Sequence, residues 1–398
     1  MKPRLYDKIV AQSLKEFRQM VFLSGPRQVG KTTVAKAYAQ YYLNWDKDSV
    51  KNLILSGQES VGEFCSLERA RVDLPVIAFD EIHKYPRWKQ FLKGFFDDYE
   101  SSCRVIATGS ARMDVYKKGG DSMMGRYFPY RVHPLSVAEL LTTDIPGDDI
   151  VRLPAKIPEE EWEALCEFGG FPEPFIKRSR AFSSRWNRLR KEQLLKIDIR
   201  DMSRTSEIDR LGVLADMLSN RSGEQLVYAS IGNEIKIDEK TVKNWIVVLK
   251  HLFYGFEIRP WFKNIENSIR KTPKWFLRDW SLVADAGKRF ETMIACHLLK
   301  AVECWTDIGL GEFELCYLRD KQKHEVDFLI VKDRSPWILV EAKKGDGKLS
   351  DNLVRFHQKL KTSFAFQVVE SLPYEEINCF SYDKPVVVPA RTFLSQLV

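Results

Sequence analysis

One short string constrains this chain more than any other feature: Gly25, Pro26, Arg27, Gln28, Val29, Gly30, Lys31, Thr32 and Thr33 in succession, after an apolar run at 20–24 and before a helix-forming segment at 34–42. The apolar run suits a buried parallel strand. Glycines at this spacing let consecutive backbone N–H groups curl round an anion at a helix N-terminus, where the helix dipole favours negative charge. The chemistry points to a polyphosphate such as ATP: residues 25–33 wrap it, Lys31 neutralises its β and γ oxygens, and the Thr32 hydroxyl is a ligand for Mg2+.

A second apolar run, 75–80, ends in Asp80 and Glu81. Acids at the C-terminal end of a parallel strand lie where open α/β sheets bind their ligands, so Asp80 is expected to hold the Mg2+ shell and Glu81 to polarise the attacking water. A further strand is expected at 42–45. A third apolar run, 104–110, ends in polar residues suited to sensing a γ-phosphate, Ser110 first and Thr108 in reserve. Arg112 and Arg126 are candidates for stabilising transition-state charge, in cis or from a neighbouring copy, which would require a homo-oligomer. Ser136 and Glu139 have capping-box spacing and need no catalytic role.

The length, 398 residues, implies more than one domain, and 44% hydrophobic with 29% charged residues implies folding throughout. The net charge of +7 permits a polyanionic partner without demanding one. Seven scattered cysteines with no C-x-x-C pair indicate neither a disulfide framework nor a zinc cage and favour a reducing cytoplasm. Charges near the start argue against a secretory leader, and no long apolar stretch suggests a membrane span.

Residues 146–158 read as a proline-rich linker, followed by a helical region from Glu159 that is interrupted by Gly169-Gly170-Phe171-Pro172-Glu173. The stretch 177–191 holds seven basic residues and no acid, interleaved with Phe182 and Trp186, a pattern that suits phosphate backbones and unpaired bases. Helices at 226–235 and 239–252, then strands at 253–261 and 274–277 around a basic tip at 263–271, give the winged-helix arrangement. Lys240, Lys243 and Asn244 would face a DNA groove while Arg270 and Lys271 hold phosphates; such modules also serve as plain packing units.

Two strands are expected at 325–331 and 337–343. A turn centred on Arg334 puts Asp327 opposite Glu341 with Cβ atoms about 4.5–5.5 Å apart, and Lys343 points the same way. Carboxylates and an amine converging on one face are costly unless something binds between them. A Mg2+ or Mn2+ ion held by Asp327 and Glu341, with Glu291 from an expected helix at 282–300 completing its shell, would polarise a phosphodiester and activate water, and Lys343 would steady the developing charge.

Arg27-Gln28-Val29, Asp80-Glu81, Thr108-Gly109-Ser110, Gly125-Arg126, Pro134-Leu135-Ser136, the 169–173 string and 275–279 resemble the bacterial and archaeal AAA-type P-loop ATPases. Members of that family carry a C-terminal restriction-endonuclease-like (PD-(D/E)xK) domain, formerly of unknown function, whose pieces appear here as Glu291, Glu325-Val326-Asp327-Phe328 and Glu341-x-Lys343. Trp280-Ser281 departs from the family pattern, which has Gly there. The resemblance implies an α/β chain with an additional-strand AAA-type ATPase core at 1–145. A linker and basic helical connector would follow at 146–210, a winged helix at 211–280 and the nuclease-like α/β domain at 281–398. The phosphate site, the two basic regions and the Asp327, Glu341 and Lys343 set together point to ATP hydrolysis coupled to Mg2+- or Mn2+-dependent cleavage of duplex or branched DNA. Two other readings stand beside it: a DNA-binding or junction-remodelling motor whose nuclease-like domain only binds, and a nucleotide-gated signalling ATPase with a protein partner.

Overall fold

The computed structural model describes residues 3–109, 123–194, 208–262, 272–345 and 347–398. Ser110, Arg112, Arg270 and Lys271 lie outside the described residues. The chain divides into two compact units, one formed by residues 1–133 with 143–145 and the other by 134–142 with 146–398.

The first unit contains α1 (Leu5–Glu16), β1 (Met20–Ser24), α2 (Lys31–Tyr38), β2 (Tyr41–Asn44), α3 (Asp48–Leu55), α4 (Gln58–Phe64), β3 (Val76–Asp80), α5 (Trp88–Tyr99), β4 (Arg104–Gly109) and β5 (Tyr127–Arg131). Its strands are all parallel, in the order β2-β3-β4-β1-β5. β4 therefore separates the loop-bearing strand β1 from the acidic strand β3, as the additional-strand expectation requires. The helix expected at 34–42 instead starts at Lys31 and ends at Tyr38, because 41–44 are drawn into the sheet beside β3. Phe22, Phe79, Trp88, Phe91, Leu92 and Phe95 form the core that holds α5 against the strands.

The second unit opens with α6 (Val137–Leu141), α7 (Glu159–Phe168), α8 (Pro172–Lys177) and α9 (Arg180–Gln193), then α10 (Ile208–Asn220), α11 (Tyr228–Ile235), α12 (Glu239–His251), β6 (Gly255–Pro260) and β7 (Lys274–Leu277). It continues with α13 (Ala286–Asp307), β8 (Phe313–Arg319), β9 (Glu325–Lys332), β10 (Ser335–Lys343), α14 (Asp351–Leu360), β11 (Phe364–Val369), β12 (Val386–Pro389) and α15 (Ala390–Ser395). One mixed sheet runs β12-β11-β10-β9-β8-β6-β7.

The helix-turn-helix and hairpin expected at 226–277 are present, with Asp238 accepting from the Thr241 N–H at 2.9 Å to cap α12. The hairpin is not separate from the strands C-terminal to it: β6 pairs in parallel with β8 through Arg259–Cys316 and Pro260–Tyr317. The sheet thus crosses the boundary expected at 280/281, and the boundary at 210/211 falls inside α10. Residues 134–142 likewise join the second unit rather than the core assigned to 1–145.

The 169–173 string acquires a physical account. Gly169, at φ 76°, ends α7, and Pro172 starts α8 at a position that needs no N–H donor. A Cβ on Gly170 would lie 2.6 Å from both the Leu135 carbonyl oxygen and the Trp280 ring, so only glycine lets the loop dock there. The helix expected at 282–300 runs instead over 286–307, since Asp285 caps it by accepting from the Lys288 N–H at 2.8 Å.

Candidate functional site

The loop at 25–33 sits between β1 and α2, at the C-terminal edge of the parallel sheet. A Cβ on Gly25 would stand 2.3 Å from the Val132 carbonyl oxygen, and Gly30 holds φ 106°, so both glycines are demanded by the backbone path. Lys31 Nζ is buried and donates to the carbonyls of Gly25 at 2.8 Å and Pro26 at 2.7 Å. Its ammonium thus lies folded over the mouth of the loop. Arg4 braces the loop from behind, donating to the Val29 carbonyl at 2.6 Å and the His133 carbonyl at 2.7 Å.

Asp80 is buried at the end of β3 and gathers four side-chain donors. Thr32 Oγ1 lies 3.2 and 3.1 Å from its two oxygens, Asn44 Nδ2 donates at 3.3 Å, and Tyr42 and Thr108 hydroxyls donate in short bonds. Burial, then the bond to Asp80, raises the Tyr42 phenol well above its usual range. Thr32 beside Asp80 at the loop's end is an oxygen donor set that fits Mg2+. Thr108 does not stand as a free sensor; it ties Asp80 in place and accepts from the Glu81 N–H at 3.3 Å. Tyr42 and Asn44 escape sequence reasoning, because nothing local to β2 says that it pairs with β3.

Glu81 adopts φ 56°, an uncommon conformation for a residue with a side chain and one that functional sites often store. Its carboxylate lies 3.4 Å from Lys84 Nζ, which also reaches Asp46 at 2.7 Å. His83 stands 4.0 Å away; burial pushes its imidazole down to about 4, so it is neutral at pH 7. Arg126 is turned to Asp97 on α5, donating from Nε at 2.6 Å and Nη2 at 2.9 Å.

In the second unit, Asp327 and Glu341 do come together across β9 and β10. The Ala342 N–H donates to Asp327 at 2.9 Å, the Asp327 N–H to Glu341 at 3.4 Å, and Lys343 Nζ lies 2.9 Å from Glu341. The expected metal shell is corrected by a residue that sequence reasoning missed. Lys274 Nζ lies 2.6 Å from Glu325, 3.4 Å from Glu291 and 3.8 Å from Asp327. Glu291 therefore serves an ammonium rather than completing a site with Asp327 and Glu341. Among the described residues no group of three or more His, Cys, Asp or Glu side chains converges to hold a metal ion. The donor set as arranged does not fit the Mg2+ or Mn2+ expected there.

Burial and the charge of Asp327 push both Glu291 and Glu341 up to about 7, and burial raises Asp327. Two signals could have found the missed partners. Glu325 shares a strand face with Asp327, two residues on, and Lys274 opens a run of Trp, Phe and Leu, where a charge must find a counter-charge.

The basic stretch at 177–191 divides into buried and exposed members. Trp186 is buried, packs on Phe171 and donates to Glu173 at 3.2 Å, so it is not an open stacking platform. Arg190 lies 3.7 Å over the Phe171 ring and 3.0 Å from Asp279, as a structural cation. Arg185 and Arg188 remain exposed, as do Lys240, Lys243 and Asn244 on α12. A groove of about 1030 Å³ is lined by Trp261, Phe262 and Tyr317 together with Arg319, Lys321 and Lys359. Glu139 does not close the expected capping box; Ser136 accepts its N–H at 3.3 Å while its carboxylate pairs with buried Lys300. No helix among the described residues is long and apolar enough to cross a membrane.

Residues 17–141 match the family described as AAA domain, 159–292 a domain of unknown function (DUF8612) and 286–391 a domain of unknown function (DUF4143). With the loop geometry above, the first unit is an AAA-type P-loop domain. Uncharacterized proteins of Mycobacterium tuberculosis and Mycobacterium bovis are each 22% identical over 273 residues, 66% of this chain and 55% of theirs. The chain thus spans about half the length of the curated relatives it matches. AMPPCP-bound DnaA from Aquifex aeolicus is similar with a TM-score of 0.31 at 12% identity, covering 62% of this chain and 87% of that one. A signal transduction ATPase with a tetratricopeptide repeat sensor from Pyrococcus horikoshii gives 0.24 at 12% identity, covering 77% and 47%. At these scores the likenesses carry no fold assignment.

Proposed function

We propose that the chain hydrolyses ATP in its AAA-type unit and acts on DNA, with the second unit gripping DNA rather than cutting it. The hydrolysis half rests on Asp80 and Glu81 standing at the end of β3 beside Thr32 and the loop. Backbone N–H groups of 25–33 and Lys31 would bind the nucleotide phosphates, Lys31 exchanging its two carbonyl partners for phosphate oxygens. Thr32 and Asp80 would hold Mg2+, which when bound neutralises charge on the phosphates. Glu81 would orient the attacking water and take its proton, while Thr108, Tyr42 and Asn44 keep Asp80 in place.

The DNA half is supported by the exposed Lys240, Lys243 and Asn244 of the helix-turn-helix and by the basic, aromatic-lined groove. The mixed sheet with Asp327, Glu341 and Lys343 on one face is read as restriction-endonuclease-like in fold. The single observation that favours gripping over cutting is Lys274 Nζ among Glu291, Glu325 and Asp327. Metal-dependent cleavage keeps one observation in its favour, the alignment of Asp327 with Glu341.

The test is ATP turnover and DNA integrity measured together on linear, nicked and junction DNAs with Mg2+ or Mn2+. Faster turnover without new DNA ends supports the proposal. New ends that disappear in Asp327→Ala would replace gripping with cleavage. DNA binding that is absent, or indifferent to salt, would remove the DNA half and favour a signalling role.

A further inference from the structure

Lys274 opens β7, and its position is set before its side chain is considered. Its backbone pairs with Ile258 in the hairpin and bridges Gln225, and Trp275, Phe276 and Leu277 behind it are fully buried. The side chain, 6% exposed, runs over the Tyr317 ring at 5.5 Å and ends among carboxylates from three positions on two elements, Glu291 on α13 and Glu325 and Asp327 on β9. Their oxygens surround Nζ at 2.6 Å (Glu325), 3.4 Å (Glu291) and 3.8 Å (Asp327), the first a direct ion pair and the others looser charge contacts. A divalent ion would need them to close on one point at about 2.0–2.2 Å for Mg2+ or slightly longer for Mn2+, and Nζ stands in that space.

The charge is also nearly met without an ion. Glu291, Glu325, Asp327 and Glu341 face Lys274, Lys343 at 2.9 Å from Glu341, and Arg319 at 3.1 Å from Glu325. What remains is too little negative charge to repay the dehydration of a doubly charged ion.

We infer that Lys274 is a tethered cation that takes the place of a divalent metal among Glu291, Glu325 and Asp327, next to the Asp327–Glu341 pair, which makes the acidic centre of the second unit metal-independent. The inference rests on the reading of Asp327, Glu341 and Lys343 as a nuclease-like set, but not on DNA being the partner. Its consequence is that the site holds its geometry with no ion, and that removing one amine converts it into a metal site.

The experiment is Mn2+ binding to the full-length chain without nucleotide, by equilibrium dialysis and electron paramagnetic resonance. Wild type and Asp327→Asn should bind Mn2+ alike, while Lys274→Met should gain one site at least ten-fold tighter, lost again in Lys274→Met/Asp327→Asn. Because Lys274→Met loses buried ion pairs, Lys274→Gln serves as a second variant, with Mn2+ expected to raise its melting temperature and leave that of wild type unchanged. A wild-type Mn2+ site that Asp327→Asn abolishes would overturn the inference. So would folded Lys274 variants that gain no site. Neither result depends on DNA binding or cleavage, so the fate of the functional proposal is read separately.

Discussion

Asp327 and Glu341 face each other because the β9–β10 ladder carries one extra residue at Trp337. The turn is a two-residue one, Asp333 and Arg334 both at positive φ, and it pairs Lys332 with Ser335 and Val331 with Pro336. Continued without interruption, that register would put Asp327 opposite Val340. The shift between Pro336 and Ile338 moves the pairing so that Val340 meets Phe328, and Glu341 then meets Asp327. Bulges re-aim side chains beside functional sites, and this one aims an acid.

Asp327→Ala is expected to cost about 1–3 kcal/mol, because the Ala342 N–H loses its acceptor in a partly buried setting and Lys274 loses a counter-charge. Urea unfolding checks it. A change below about 0.5 kcal/mol would mean that the site is built around other contacts.

The pH dependence of stability follows from Glu291 and Glu341, which titrate together near 7 because both are buried beside Asp327. Their folded values lie above the ordinary carboxylate range, so between that range and about 7 the folded chain binds more protons than the unfolded one. Stability attributable to this site therefore falls as pH rises through the window and is greatest at its acid end. The melting temperature should rise as pH drops from about 8 to about 5.5, and Glu341→Gln should flatten the slope. A slope unchanged in Glu341→Gln would contradict this.

Much of the first unit is legible in the sequence because parallel strands buried on both faces read as short apolar runs, and β1 runs into Gly25, β3 ends in Asp80 and β4 in Gly109, each with a chemical reason to be there. The partners of Asp80 on β2 are not legible, since which strand lies beside which is a property of the sheet order. In the second unit alternation reveals the hairpin and its acidic pair, although the turn is centred between Asp333 and Arg334 rather than on Arg334, and the two acids align only through the Trp337 bulge. Lys274 is hidden because a lysine beside a basic loop reads as one more surface charge. Trp186 misleads in the opposite direction: a tryptophan in a basic helix is equally consistent with a buried anchor, and Phe171 with Arg190 makes it one.

Tyr42→Phe removes one donor from Asp80 and leaves Thr32, Asn44 and Thr108. Loss of about 0.5–1.5 kcal/mol of stability is expected. ATP turnover should fall by less than about ten-fold, against about 10²-fold or more for Asp80→Ala. Equal losses in the two variants would make Tyr42 a participant rather than a support.

Glu139 and Lys300 form a buried ion pair, with Lys300 also donating to the Pro134 carbonyl at 3.1 Å and to Ser136 at 2.8 Å. Glu139→Ala should cost about 3–5 kcal/mol by leaving the ammonium uncompensated, and Glu139→Leu/Lys300→Met should recover most of it. Chemical denaturation of the single and double variants measures the difference. A Glu139→Ala variant as stable as wild type would return Glu139 to the minor capping role that its spacing suggested.

The most direct test of the whole account is the rate of phosphate release from ATP by wild type, Lys31→Ala and Glu81→Gln, each with and without duplex and junction DNA. The account predicts that DNA accelerates the wild type, that both variants lose about 10²-fold or more, and that the DNA stays intact throughout. Turnover indifferent to DNA, or surviving in Glu81→Gln, would contradict it.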